Sequence, residues 1–179
     1  MYRSDRFGLS LPLPDLPAWT IVDRADAEAG WLVATHSATG TRVRVRRYEE
    51  TALVGRRECQ TRAQLAGELP NDDAILGGGF ETLEDEAVHR PTGWDGWRWV
   101  AYDSRPGGAL EGHVFLVAGR KQSCLVVHVV SEVHSDAEVN ELADRLELFR
   151  SRVVSAVTVD RAAEPGDPRL DLPPTPFAP

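Results

Sequence analysis

Two cysteines, Cys59 and Cys124, and five histidines, His36, His89, His113, His128 and His134, are the residues of this chain best suited to covalent or metal chemistry. A thiolate is a nucleophile and a soft ligand, and imidazole gains or loses its proton near neutral pH. The cysteines lack the close spacing of a metal site. The histidines depend on a hairpin. If Arg120-Lys121 is its two-residue loop, His113 falls opposite His128, and such a pair could hold zinc if a third ligand converged. If Gly119-Arg120 is the loop, His113 faces Val126 and the pair dissolves. Ordinary strand histidines, with no metal and no cofactor, are therefore expected.

Other catalytic patterns are weaker still. No serine lies in a G-x-S-x-G elbow, and Ser104, Ser123 and Ser131 have no local base with an orienting acid. Gly77-Gly78-Gly79 lacks the following Lys-Ser/Thr of a phosphate loop and reads as a turn. The seven carboxylates between Glu68 and Glu86 have no base among them and read as a solvated acidic surface.

Two patterns suit recognition better than catalysis. Arg42, Arg44 and Arg46, with Arg47 adjacent, form a positive stripe that could meet a carboxylate-rich partner bidentately. The plain alternative is a solvent-facing strand whose charges discourage edge pairing. Trp94, Trp97 and Trp99 surround Arg98, and alternation puts Trp97 and Trp99 on one strand face with Arg98 on the other. Tryptophan and arginine are frequent interface hot spots, although a strand tryptophan pair also suits a core.

Composition limits the classes available. The 179 residues carry 20 basic and 28 acidic side chains, a net charge of -8. That balance disfavours a general nucleic-acid binder, whose affinity comes from neutralised phosphates. Lys121 is the only lysine, an arginine bias that fits a GC-rich bacterial genome. The strongest apolar run, Leu125 to Val130, is far short of the ~20 residues needed to span a bilayer. The first residues lack the apolar stretch of a signal peptide. A cytoplasmic location is expected, the alternative being a periplasmic or secreted one if an export signal preceded this sequence.

The elements that must position these residues follow from periodicity. Gly8 to Asp23 is apolar but interrupted by Pro12, Pro14 and Pro17, so it reads as an edge strand or extended entry. Residues 31–36 and 42–48 form a hairpin around Ser37-Ala38-Thr39-Gly40. Cys59, Ala63 and Ala66 fall at helical spacing before Pro70. Asn71 to Gly79 is a loop. Strands at 86–89 and 97–102 flank a turn at Pro91-Thr92-Gly93, and 113–118 and 124–133 form a tight hairpin. The last of these strands is apolar on both faces, as a central strand would be. Ser135 and Glu138 predict a capping box opening a helix to about Val154. Val139, Leu142, Leu146, Phe149 and Val153 then draw one apolar stripe. Residues 154–159 supply a closing strand. This predicts an α+β fold over 1–160, an antiparallel β-sheet flanked by helices on both faces. Residues 161–179 hold six of the 12 prolines and read as a flexible proline-rich tail.

This layout resembles the PsbP-like superfamily, an α-β-α sandwich that includes bacterial DcrB-type proteins. The resemblance is carried by GLSLPLPDLPAWTIVD (Gly8 to Asp23), RVRVRRYEE, and the segment from Ser131 to Val159 that runs strand, helix, short strand. It implies a protein that binds other proteins, with no shared catalytic residues. In one bacterial branch it implies a dimeric chaperone for secreted effectors. The resemblance also puts Cys59 on a helix and Cys124 on a central strand, where they would be two buried thiols acting as small hydrophobes, or else a disulfide. A catalytic thiol lacks a base, although Arg56 and Arg57 beside Cys59 could lower its pKa. Expected, then, is a non-enzymatic, chaperone-like or protein-binding accessory module of a bacterium, with a link to a secretion system if that branch applies. Its partner would be an acidic protein or a secreted effector, met through Arg42, Arg44, Arg46, Trp97 and Trp99. The alternatives are an exported protein with a Cys59–Cys124 disulfide and, more remotely, an enzyme built from His113, His128 and nearby acids.

Overall fold

The structure, a computed structural model, describes residues 1–24, 30–89, 93–105, 108–160, 164 and 166–172. The expected turn at Pro91-Thr92 and much of the C-terminal tail lie outside them. Among the described residues there are ten strands: β1 (Tyr2–Ser4), β2 (Leu9–Leu11), β3 (Trp19–Asp23), β4 (Leu32–His36), β5 (Arg42–Glu49), β6 (Phe80–His89), β7 (Asp95–Ser104), β8 (Leu110–Arg120), β9 (Ser123–Val133) and β10 (Thr158–Val159). Seven of them form one antiparallel sheet in the order β3-β4-β5-β9-β8-β7-β6. The central place of β9 is the one its two apolar faces require. A second, small sheet, β1-β2-β10, joins the two ends of the chain. β1 has no signal in the sequence, because Tyr2–Ser4 is too short to show a period. It turns the expected entry strand into a hairpin, with Tyr2 opposite Leu11.

Helices cover both faces of the large sheet, as predicted. On one face lies α3 (Val139–Leu148), prolonged by a wider turn over Phe149–Val153 and a tighter one over Val154–Ala156. Its apolar stripe buries Leu142, Leu146, Phe149 and Val153 against Val114, Leu116, Val127 and Val129. Fully burying such a side chain stabilises the fold by roughly 1.5–3 kcal/mol. On the other face lies α1 (Arg56–Leu65), which buries only Cys59 and Ala63. Its small contribution is completed by Tyr48, Trp99, Phe115, Val117 and Val126 from the strands.

Three local expectations change. The expected capping box is half formed: Ser135 Oγ does not cap the backbone but donates to Glu138 Oε2 at 2.8 Å, while the His134 amide also donates to that oxygen. Residues 71–79 are not a simple loop, because Asn71 Oδ1 accepts from the Ala74 amide and starts α2 (Asp72–Ala74), which widens into a helical turn over Ile75–Gly79. The β6 strand begins six residues earlier than expected and carries a register shift between Thr82 and Glu84. Such a bulge twists an edge strand away from pairing. In the tail, the Asp171 amide donates to the Arg6 carbonyl at 3.0 Å, and Leu172 rests against the core.

Candidate functional site

The chemistry-bearing residues gather on the α1 face. Strand register aligns Asp85, Trp99, Phe115, His128, Arg44 and Val33 as one transverse row over β6, β7, β8, β9, β5 and β4. The planar groups stack along it. Trp97 lies 6.0 Å from Trp99, Trp99 lies 5.5 Å from Phe115, and Phe115 lies 3.9 Å from His128, each pair near parallel. Farther along the row, Arg44 is set 4.4 Å over the Trp31 ring. Cation and ring attract through the ring's quadrupole.

The expected arginine stripe is real as alternation, but it is spent largely inside the protein. Arg42 is exposed, Arg44 is half-buried on Trp31, and Arg46 is paired with Glu68. Glu68 has only 6% of its side chain exposed, and burial pushes its carboxyl up while the Arg46 charge opposes that shift. Arg47 leaves the stripe. It points to the α3 face, where Nε donates to Ser123 Oγ and Nη1 to the Phe7 carbonyl, each at 2.9 Å. Burial lowers its pKa to about 10.

Trp97 and Trp99 share a face as predicted, but they do different work. Trp99 is fully buried and donates from Nε1 to Thr82 Oγ1 at 3.0 Å, so it has no surface to offer a partner. Trp97 is half-buried on top of it, donates to Asp85, and borders a cleft of about 310 Å³ with Gln60, Gln64, Asp72, Ile75 and Leu76. Arg98 emerges on the opposite face, bound to Glu84 and Glu86. The cysteines are not two thiols: Cys59 and Cys124 form a disulfide with Cα atoms 5.6 Å apart, both fully buried.

Beyond α1 the same face turns polar. The β8–β9 loop is Lys121-Gln122, which neither sequence register anticipated, and Lys121 adopts a left-handed φ of 52° there. His113 therefore lies opposite Val130, and His128 opposite Phe115. The imidazoles still meet diagonally, His113 Nδ1 to His128 Nε2 at 3.1 Å. Burial holds both pKa values down, most strongly at His128, where the charges of His113, Arg44 and Arg42 add to it. Both shifts favour the neutral ring.

Asp103 lies directly opposite Glu111 on β7 and β8, and Glu111 and His113 point to the same face two residues apart. These three offer ligand atoms within 4.8 Å of one another. Arg105 spans the carboxylates, with Nε donating to Glu111 Oε2 at 2.6 Å and Nη1 standing 3.1 Å from Asp103 Oδ2. A cleft of about 580 Å³, lined by Phe80, Glu81, Tyr102 and Asp103 among others, opens beside them. Sequence reasoning missed this set. Its signal was Glu111-x-His113 on one strand, with Asp103 on the preceding strand at the position opposite Glu111. Two of the three serines are engaged elsewhere, Ser123 with Arg47 and Ser131 with Thr41 at 3.0 Å, while Ser104 is exposed at the end of β7.

With the architecture described, its likeness to known proteins is informative at the level of fold. No family model matches the chain, and no curated protein matches it. Among solved structures, the cyanobacterial PsbP (CyanoP) of Synechocystis sp. PCC 6803 is similar with a TM-score of 0.52 at 13% identity, over 88% of this chain and 90% of that one. LpqN of Mycobacterium tuberculosis, described as involved in cell envelope biogenesis, gives a TM-score of 0.47 at 14% identity, over 84% of this chain and 82% of that one. The chain has a PsbP-like fold.

Proposed function

We propose that this protein is an exported accessory protein that works by binding a partner and not by catalysis. The observation that carries the reading is the buried Cys59–Cys124 disulfide, which ties α1 to the central strand. Disulfides of this kind form and persist in oxidising compartments. A cytoplasmic location, the simpler expectation from the sequence, loses its footing on that bond. A non-enzymatic role is supported by chemistry already assigned: the Ser123 and Ser131 hydroxyls are bonded to Arg47 and Thr41, and both cysteines are oxidised.

The binding surface is the rim around Trp97. Leu76, 84% exposed, stands beside it, with Asp72 and Asp85 along the same cleft. An exposed apolar residue next to an aromatic ring and carboxylates suits an apolar segment flanked by basic side chains. The Arg42–Arg46 face is less suited to an acidic partner, because Glu68 already pairs with Arg46.

The test is thiol trapping in the native host, followed by cross-linking. With both cysteines oxidised, alkylation before reduction labels neither, and the protein fractionates outside the cytoplasm. A cross-linked partner should be lost in Trp97→Ala and in Leu76→Asp and kept in Arg42→Ala. Two free thiols in freshly trapped protein overturn export. A partner indifferent to Trp97 and Leu76 overturns the rim.

A further inference from the structure

We propose that Asp103, Glu111 and His113 form a binding site for one divalent cation of borderline softness, such as Zn2+, for which the Arg105 guanidinium is the built-in stand-in. This goes beyond the binding role and does not depend on it. Two carboxylates alone on a surface are common and need no metal. Here a third group changes the chemistry. The His113 side chain is 7% exposed, and its Nε2 has no hydrogen-bond partner, yet it lies 3.7 Å from Glu111 Oε2. A buried polar atom left without a partner is costly, and a cation between it and the carboxylates would satisfy all three.

The neighbouring ring prepares that nitrogen. His128 Nε2 lies 3.1 Å from His113 Nδ1. When His113 Nδ1–H donates to His128, the His113 Nε2 lone pair is left facing the carboxylates. Ligating imidazoles commonly have their second nitrogen fixed in this way. The His128 ring is in turn held flat against Phe115 at 3.9 Å, so the orientation is set by packing. Phe80 closes the other side, its ring 5.7 Å from His113 and edge-on.

Arg105 already shows that the spot favours positive charge. It bridges both carboxylates, but its side chain is 48% exposed and can swing out to water. Metal and guanidinium therefore compete for the same oxygens. One imidazole with two carboxylates suits Zn2+ better than Mg2+, which prefers all-oxygen ligands and retains its water.

Calorimetric titration of the untagged protein with ZnCl2, with MgCl2 as control, tests the site. The expected result is one Zn2+ per chain, no comparable Mg2+ binding, at least tenfold weaker Zn2+ binding in His113→Gln and in Glu111→Gln, and several-fold tighter binding in Arg105→Gln. Glu111, nearer the surface than His113, keeps the comparison available if His113→Gln does not fold. Zn2+ binding unchanged by either ligand substitution, the absence of saturable binding, or weaker binding in Arg105→Gln overturns the proposal.

Discussion

The two faces of the large sheet are held by opposite means. On the α3 face, a helix with a broad apolar stripe fills the space with side chains, and removing water does the work. On the α1 face, a helix that buries only Cys59 and Ala63 is held by a covalent bond and by close backbone approach. Two glycines of β8 record the difference. A Cβ on Gly119 would stand 2.5 Å from the Gly55 backbone at the start of α1, whereas on Gly112 it would meet the Leu146 side chain of α3 at 2.6 Å. Backbone cannot move aside cheaply; the end of a leucine can. The lesson is that an apolar stripe lets a helix tolerate local change. A poorly apolar helix frees the sheet beneath it for polar residues, but it must be fixed at particular points.

Removing the disulfide should be the most damaging change. Its loop of about 65 residues implies about 4 kcal/mol of stabilisation from chain entropy. Cys59→Ser/Cys124→Ser should then melt roughly 10 °C lower, measured by calorimetry. A loss of only a degree or two would break the contrast, because α1 would be held by something else. Gly119→Ala should follow, at about 3 kcal/mol in urea unfolding, since the added methyl pushes α1 from the sheet.

Acid should act next, again on the α1 face. Burial lowers the pKa of His113 and His128 in the folded chain, so the unfolded chain takes up protons first as the pH falls below about 6.5. Stability from this source is complete above that pH and is lost as acid is added. Between pH 6.5 and 5.5, in buffer with a chelator, the loss should be about 1–2 kcal/mol. His113→Gln/His128→Gln should flatten that slope, and an unchanged slope would place the sensitivity elsewhere. Gly112→Ala should be the mildest, at about 1 kcal/mol, with Leu146 rotating away. If it matches Gly119→Ala, the two faces are equally rigid and the comparison fails.

Much of this was legible in the chain. The stripe from Val139 to Val153 named the α3 face, because a helix that repeats apolar residues at spacings of three and four has one way to bury them. The doubly apolar run at 124–133 named the central strand. The Arg42–Arg46 alternation named a face, but not what stood on it. Glu68 reaches Arg46 from a loop beyond α1, and no local pattern joins residues 22 positions apart. The sequence allows the histidine pair two registers, and the chain takes a third, with Lys121 in a left-handed conformation that glycine would ordinarily signal. One further residue of shift decided which side chains faced each other.

The sequence by itself determined the layers: period and apolarity depend on neighbours along the chain, so the α+β sandwich and its central strand could be read directly. The tertiary structure alone decided the chemistry. Whether Cys59 met Cys124, whether Arg46 was free, and whether Asp103, Glu111 and His113 converged all depend on distances across strands and between layers. Those distances are set by register and helix docking, which are properties of the packed whole.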